Sequence, residues 1–256
     1  MKELKKDKLV VKIFETREEM GKAAGAAAAE KIKELIAKKG EVNMIFAAAP
    51  SQNETLATLV NSDGIEWNKV NAFHMDEYIG LSKDAPQGFG NFLNNAIFSK
   101  LPFKSVNYIY AEGETVEETC KRYTTLIQEN PIDIVCLGIG ENGHIAFNDP
   151  WVADFHDSEV IKKVALDEVC RQQQVNDGCF KAIEEVPEFA LTLTIPTLFH
   201  ADYLFCTVPA ATKADAVFKT VNNEINEELP ATIMRTHKYA IMYCDKDSGA
   251  KLLTGK

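Results

Sequence analysis

The sequence predicts an α/β fold: a single open, mostly parallel sheet with helices on both faces, a modified Rossmann-like arrangement. Three observations predict it. Short β-rich runs alternate with helical patterns along the chain. Several of those runs are apolar almost without interruption, as strands buried on both faces must be. No internal repeat, low-complexity tract or linker divides the 256 residues, so residues 1–256 are read as one domain, long enough to bury a substantial core.

The elements follow in order. LVVKIF (residues 9–14) reads as a strand. Thr16 and Glu19 form a T-x-x-E capping box, and an Ala-rich helix then runs to Lys38, ended by Gly40. VNMIFAAAP (42–50) is the next strand, residues 53–61 follow a helical pattern, and residues 69–74 form another strand. VNYIYA, DIVCLGIG, FALTLTIP, YLFCTVP and YAIMYCD read as strands by their β-branched and aromatic content. Helical stretches separate several of them, at residues 116–128, 166–174 and 211–221. Gly88 and Gly90, within residues 81–98, point to a mobile lid.

Composition narrows the function classes. Hydrophobic residues make up 46% and charged residues 26%, as in ordinary globular proteins. The net charge of −10 repels polyphosphate backbones and disfavours nucleic-acid binding, while a small phosphorylated ligand needs only a few local donors. No apolar run approaches the ~18 residues of a membrane span. The start, MKELKKDKLVVKIF, lacks the apolar core of a signal peptide. None of the six cysteines sits in a CxxC spacing, and several lie in apolar runs, so buried reduced thiols are expected rather than disulfides or zinc. Together these features predict a cytoplasmic protein. A homo-oligomer stays open.

In open α/β sheets, ligands bind beyond the carboxyl ends of the strands. That rule directs attention to four segments. GIGENGHIAFNDP (138–150) places three glycines, a histidine, two amides and two carboxylates after a strand. His144 with Asp149 suits proton exchange near neutral pH; the alternative is a Gly-rich turn with a merely hydrogen-bonded histidine. FHMDEYIGL (73–81) sets Asp76 and Glu77 after a strand, where a carboxylate in a dry cleft becomes a base; the alternative is a pair capping the next element. FAAAPSQNETL (46–56) turns into a helix whose N–H groups, with Ser51 or Gln52, could hold phosphate, or form an ordinary cap. PAATKADAV (209–217) puts Lys213 in a helix's first turn, unfavourable for a cation unless an anion offsets it.

Taken together, these segments resemble the glucosamine-6-phosphate deaminase (isomerase) family, which includes galactosamine-6-phosphate isomerases. FHMDEYIGL and GIGENGHIAFNDP at this spacing carry the resemblance, with VPEFALTLTIPTL, CTVPAATKADAV and KYAIMYCD in support. The resemblance implies that Asp76 moves a proton between C2 and C1 of an opened amino sugar phosphate. It implies that His144 assists ring opening, with Asn142 and Asp149 as its partners. It puts Ser51, Gln52, Glu77, Gly143, Arg171 and Lys213 around the substrate, and needs neither metal nor redox cofactor. Three departures stand out: Asp149 where the family usually has glutamate, a phosphate turn without glycines, and Arg171 as the nearest candidate for a phosphate-binding arginine. Residues 151–160 also lack the basic and hydroxyl residues by which some members bind an acetylated effector. The implied reaction gives fructose 6-phosphate and ammonium from glucosamine 6-phosphate. Alternatives are the galactosamine epimer giving tagatose 6-phosphate, a 6-phosphogluconolactonase-like hydrolase, and a non-catalytic sugar-phosphate sensor.

Overall fold

A computed structural model describes residues 1–255. Its main sheet has eight strands: β1 (Lys2–Lys6), β2 (Leu9–Ile13), β3 (Val42–Phe46), β4 (Val70–His74), β6 (Ser105–Asn107), β7 (Ile134–Leu137), β10 (Tyr203–Val208) and β11 (Ala240–Cys244). They lie in the order β1-β2-β11-β10-β7-β3-β4-β6. Only the β1–β2 hairpin is antiparallel. The chain builds outward from β3 through β4 to β6, then returns through β7, β10 and β11 on the other side. The strand order therefore reverses between β3 and β7, where such sheets bind ligands.

The apolar runs are explained by burial on two faces. In β7, Ile134 and Cys136 enter one hydrophobic cluster while Val135 and Leu137 enter the other, and all four are fully buried. The first cluster takes its helical side from α1 (Arg17–Lys39), α2 (Asn53–Val60) and α3 (Phe89–Leu93). The second takes it from α4 (Val116–Glu129), α6 (Ile195–Phe199) and α7 (Ala214–Asn222). α8 (Ala250–Thr254) ends the described chain. No helix among the described residues is long and apolar enough to cross a membrane.

Several elements differ from the sequence reading. FALTLTIP forms β9 (Phe189–Leu193), but not in the main sheet. It is the centre of a small antiparallel sheet between β5 (Asp76–Tyr78) and β8 (Ile161–Ala165), two strands the sequence reading missed. β1 was missed too, because an edge strand reading KELKK carries no apolar signal. The capping box at α1 is half formed: Thr16 Oγ1 accepts the Glu19 N–H, while the Glu19 carboxylate accepts from Glu15 N. Residues 81–98 are not all loop, since α3 continues into a π-turn at Asn94–Phe98.

α1 lies unusually close to α2. Two buried glycines, Gly21 and Gly25, face it within the α1 interior, where glycine costs ~1 kcal/mol against alanine. The cost is offset by proximity: a Cβ on Gly25 would stand 2.5 Å from Thr58 Cβ and 2.9 Å from the Thr55 carbonyl oxygen. Gly25→Ala is therefore expected to destabilise the protein by about 1–3 kcal/mol through overpacking, despite the gain in helix propensity. Urea unfolding measures this, and a midpoint equal to or above wild type would refute the packing argument.

Candidate active site

Four segments meet at the carboxyl ends of β10, β7, β3 and β4, which are neighbours in the sheet. They line an open cleft of about 800 Å³, solvent at its mouth included, a size suited to a small organic ligand.

After β3 the chain passes through Ala47–Ala49 into a 3₁₀ turn at Pro50–Gln52, then α2. Gln52 is fully buried, and its amide crosses the strand-order reversal to donate to the Leu137 carbonyl at 3.2 Å. Thr55 and Thr207 meet across the same gap, with their hydroxyls 3.3 Å apart. Gly138 sits against this bridge. A Cβ there would come within 3.2 Å of Gln52 Nε2 and 3.4 Å of Ser51 Oγ, so glycine lets the two turns close on each other.

After β4 comes Asp76, buried and without a side-chain hydrogen bond among the described residues. Burial pushes its carboxyl well above the ordinary carboxylate range, and the Glu77 charge adds to the shift. Its backbone is braced by His74. His74 Nε2 accepts the Ile109 N–H at 2.9 Å, so Nδ1 carries the proton and donates to the Asp76 carbonyl at 3.0 Å. Burial lowers His74 to about 4, which keeps this ring neutral at physiological pH.

After β7, a turn closed by Gly140 N→His144 O and Gly143 N→Gly140 O swings His144 into the cleft. A Cβ on Gly140 would overlap the His144 ring, so only glycine leaves the imidazole its place. His144 Nδ1 lies 2.7 Å from Asn142 Oδ1 and 3.1 Å from Asp149 Oδ1. Asn142 Nδ2 in turn donates to the same Asp149 oxygen at 2.9 Å. Nδ1 is thus the donor, and Nε2 has no partner among the described residues. Burial would raise Asp149, but the His144 bond and charge, with the Asn142 bond, bring it below its ordinary value. The shorter aspartate reaches the imidazole without a glutamate's extra methylene.

After β10, Ala210 adopts φ = +81°, a conformation that costs a non-glycine residue about 1–3 kcal/mol. Its N–H is held by Asp245 Oδ2 at 2.9 Å. The 3₁₀ turn Ala211–Lys213 then sets Lys213 in the cleft wall, only 6% exposed. Lys213 makes no ion pair among the described residues. Burial lowers its pKa, against the opposing pull of Asp177 and Glu141. A buried cation with no ion-pair partner among the described residues is a site for an anion.

Residues 15–242 match the model of the family described as glucosamine-6-phosphate isomerases/6-phosphogluconolactonase. The chain belongs to this family. Glucosamine-6-phosphate deaminases of Listeria innocua and Clostridium acetobutylicum are 33% and 32% identical to it, over 232 and 240 residues. These matches cover 90% and 92% of this chain, and 97% and 96% of the relatives. A solved monomeric glucosamine-6-phosphate deaminase shares the fold at a TM-score of 0.84 and 27% identity, over 94% of this chain and 98% of its own. A 6-phosphogluconolactonase of Thermotoga maritima shares the fold at a TM-score of 0.76 and 18% identity, over 93% and 100%. Membership in a family of sugar-phosphate isomerases and deaminases implies a sugar-phosphate ligand.

Of the site residues anticipated from the sequence, Asp76, His144, Ser51, Gln52 and Lys213 line the cleft, and Asn142 and Asp149 stand behind His144. Three do not fit their expected place. Arg171 donates to the carbonyls of Ile183 and Val186, so its guanidinium fastens the segment after α5 (Glu168–Asn176) and takes no part in the cleft wall. Glu77 points to the other face of β5, where its carboxylate accepts the N–H groups of Tyr78, Phe89 and Gly90. Burial raises it, and these three bonds work against the shift. Gly143 (φ = +82°) serves the turn: its carbonyl accepts from Ala231, and a side chain there would strike Leu229.

The cleft also holds residues that the sequence reading missed: Arg17 at the start of α1, and Gln173, Gln174 and Asp177 on and just after α5. Arg17 is held by Glu54 at 2.8 Å and by the Pro50 carbonyl, so the turn after β3 carries a guanidinium on its flank. The strand-end rule could not find these four, because each sits on a helix or immediately beyond one.

A raised carboxylate has a consequence for stability. The native state keeps Asp76 protonated at pH values where the unfolded chain ionises it, so stability falls as pH rises from the ordinary carboxylate range through the raised native midpoint. Asp76→Asn removes that loss. The variant is expected to melt higher than wild type at pH 8 and close to it at pH 4. Equal melting temperatures at both pH values would refute the burial argument.

Proposed function

We propose that the protein is an aldose–ketose isomerase and deaminase that converts glucosamine 6-phosphate and water to fructose 6-phosphate and ammonium. The observation that carries this reading is the pairing, in one cleft, of an unbonded, high-pKa carboxylate with an imidazole whose Nε2 is free. The unpaired Lys213 at the other end supports a phosphorylated substrate. The named relatives support the choice of sugar.

The chemistry follows from these groups. The C2 proton of a closed sugar is not acidic, so the ring opens first. His144 Nε2 takes the proton of the C1 hydroxyl and passes it to the ring oxygen as the C1–O bond breaks, and Asp149 and Asn142 hold the imidazole in the Nδ1–H tautomer that frees Nε2 for this. C2 then stands next to the aldehyde carbonyl. Asp76 in its ionised form takes the C2 proton, and the electron pair moves to the carbonyl oxygen, which takes a proton from the substrate's ammonium group to give an enol. Asp76 returns the proton to C1, which leaves an imine at C2. Water adds to that carbon, the C–N bond breaks, and the nitrogen departs as ammonium. A base with a raised pKa suits this step, because the proton it takes is bound to carbon and its conjugate acid must later give it back. The phosphate at C6 is anchored by Lys213 and by the Ser51 N–H and hydroxyl in the turn at Pro50–Gln52.

Three substrates distinguish the readings. Ammonium release together with fructose 6-phosphate from glucosamine 6-phosphate is the expected outcome. Faster release from galactosamine 6-phosphate, or hydrolysis of 6-phosphogluconolactone alone, would replace the proposal. Asp76→Asn should lose turnover by roughly 10²-fold or more while still binding glucosamine 6-phosphate in calorimetry. In the wild type, kcat/KM should fall as pH drops through the raised Asp76 midpoint, above the ordinary carboxylate range.

Lys213→Gln is expected to raise KM roughly ten- to hundredfold with little change in kcat, as loss of a charge-assisted bond to a spectator phosphate should. An unchanged KM would show that the phosphate lies elsewhere.

A further inference from the structure

Asp149 is fully buried, and its hydrogen bonding is lopsided. Oδ1 takes both Asn142 Nδ2 and His144 Nδ1. Oδ2 is shielded from solvent and has no hydrogen-bond partner among the described residues, sulfur donors included. A buried carboxylate oxygen left in that state costs free energy and lets the group rotate. One side chain is placed to prevent this. Cys170, fully buried on α5, brings its sulfur into a cluster in which single side-chain atoms of His144, Asp149 and Cys170 all lie within 4.8 Å of one another. Its own place is fixed from the helix start, where Asp167 caps α5 by accepting the Cys170 N–H.

We infer that Cys170 is a positioning residue: a rotation of its thiol, whose sulfur already stands within 4.8 Å of an Asp149 oxygen, lets the S–H donate to that carboxylate, answer the bare Oδ2 and so orient the His144 imidazole. The thiol is suited to donate. Burial, with the charges of Asp149 and Asp167 beside it, holds it protonated far above neutral pH, which also makes it a poor metal ligand. The same helix presents Gln173, whose Oε1 accepts the Glu141 N–H at 2.9 Å. α5 therefore grips the 138–150 turn at two points, one through its backbone and one through the Asp149 carboxylate. The inference rests on the proposed reaction for its kinetic consequence, though not for its geometry.

The test compares Cys170→Ala, which removes the donor, with Cys170→Ser, which keeps one. With glucosamine 6-phosphate, Cys170→Ala should lose roughly tenfold in kcat with KM within about twofold of wild type, and Cys170→Ser should recover most of the loss. The ¹⁵N shifts of the His144 ring should move in Cys170→Ala and return in Cys170→Ser. A third readout needs neither turnover nor a folded alanine variant. The S–H stretch of Cys170, obtained as the infrared difference between wild type and Cys170→Ser, should lie below that of an unbonded thiol. Inactivity of the wild type toward the sugars would count against the proposed reaction and leave the spectroscopic arms to decide on Cys170. An unbonded S–H band, or unmoved His144 shifts in a folded Cys170→Ala, would overturn the inference. So would a serine variant as impaired as the alanine one while melting like wild type.

Discussion

The cleft depends on one strand keeping its two halves in register. Asp76 and His144 come from distant stretches of chain, and β9 joins them. On one side β9 pairs with β5, so that Asp76 stands opposite Thr192. Toward the turn that bears His144, the Thr192 hydroxyl accepts the Phe147 N–H at 3.1 Å, and the Leu193 carbonyl accepts Asn148 Nδ2 at 2.9 Å. A single pair of residues thus fixes both the base and the turn that bears the imidazole. Because β9 is the middle strand of its sheet, with β5 on one edge and β8 on the other, neither edge is free to drift. Hydrogen bonds of this kind are each modest in net stability. Their value here is geometric, since proton transfers demand placement within a few tenths of an ångström.

Holding the cleft in shape has a thermodynamic cost that the rest of the fold must carry. Among the described residues the Asp76 carboxylate is buried without a hydrogen bond and Lys213 is buried without an ion pair, and Ala210 sits at a positive φ. Each would be disfavoured in a protein selected for stability alone. Their concentration at one end of a sheet with two dry faces fits a site in which substrate supplies the missing partners. The phosphate would answer Lys213, and the carbon acid would answer Asp76.

Much of this was legible in the chain. The nearly continuous apolar run at β3 foretold a strand dry on both faces, and the four informative segments were found by asking which residues follow such strands. What failed did so for identifiable reasons. Arg171 was chosen for its charge, but its place on α5 turns it toward two carbonyls that needed a donor. Glu77 was grouped with Asp76 by adjacency, although successive residues of a strand face opposite ways. Arg17 gave no signal at all: it opens a helix far ahead of the motifs and reaches the cleft only because α1 packs tightly on α2. The small sheet was invisible because a three-residue strand such as β5 has too little length to show a period.

The opposed carboxylates of β5 carry one more implication. Glu77 lines a second cavity, with Tyr108, Tyr110 and the 81–91 segment, and grips the first turn of α3, whose Phe89 ring reaches back to the catalytic cleft. Function is therefore written into this stretch as odd-or-even parity. Loss or gain of one amino acid ahead of Asp76 would leave the composition of the motif nearly intact while exchanging the two acids between compartments. The carboxylate that now anchors α3 would enter the cleft, and the one that now faces the cleft would be left as an anchor. For such a segment, length is a tighter constraint than identity, since a replacement alters one side chain whereas a single-residue indel re-aims them all.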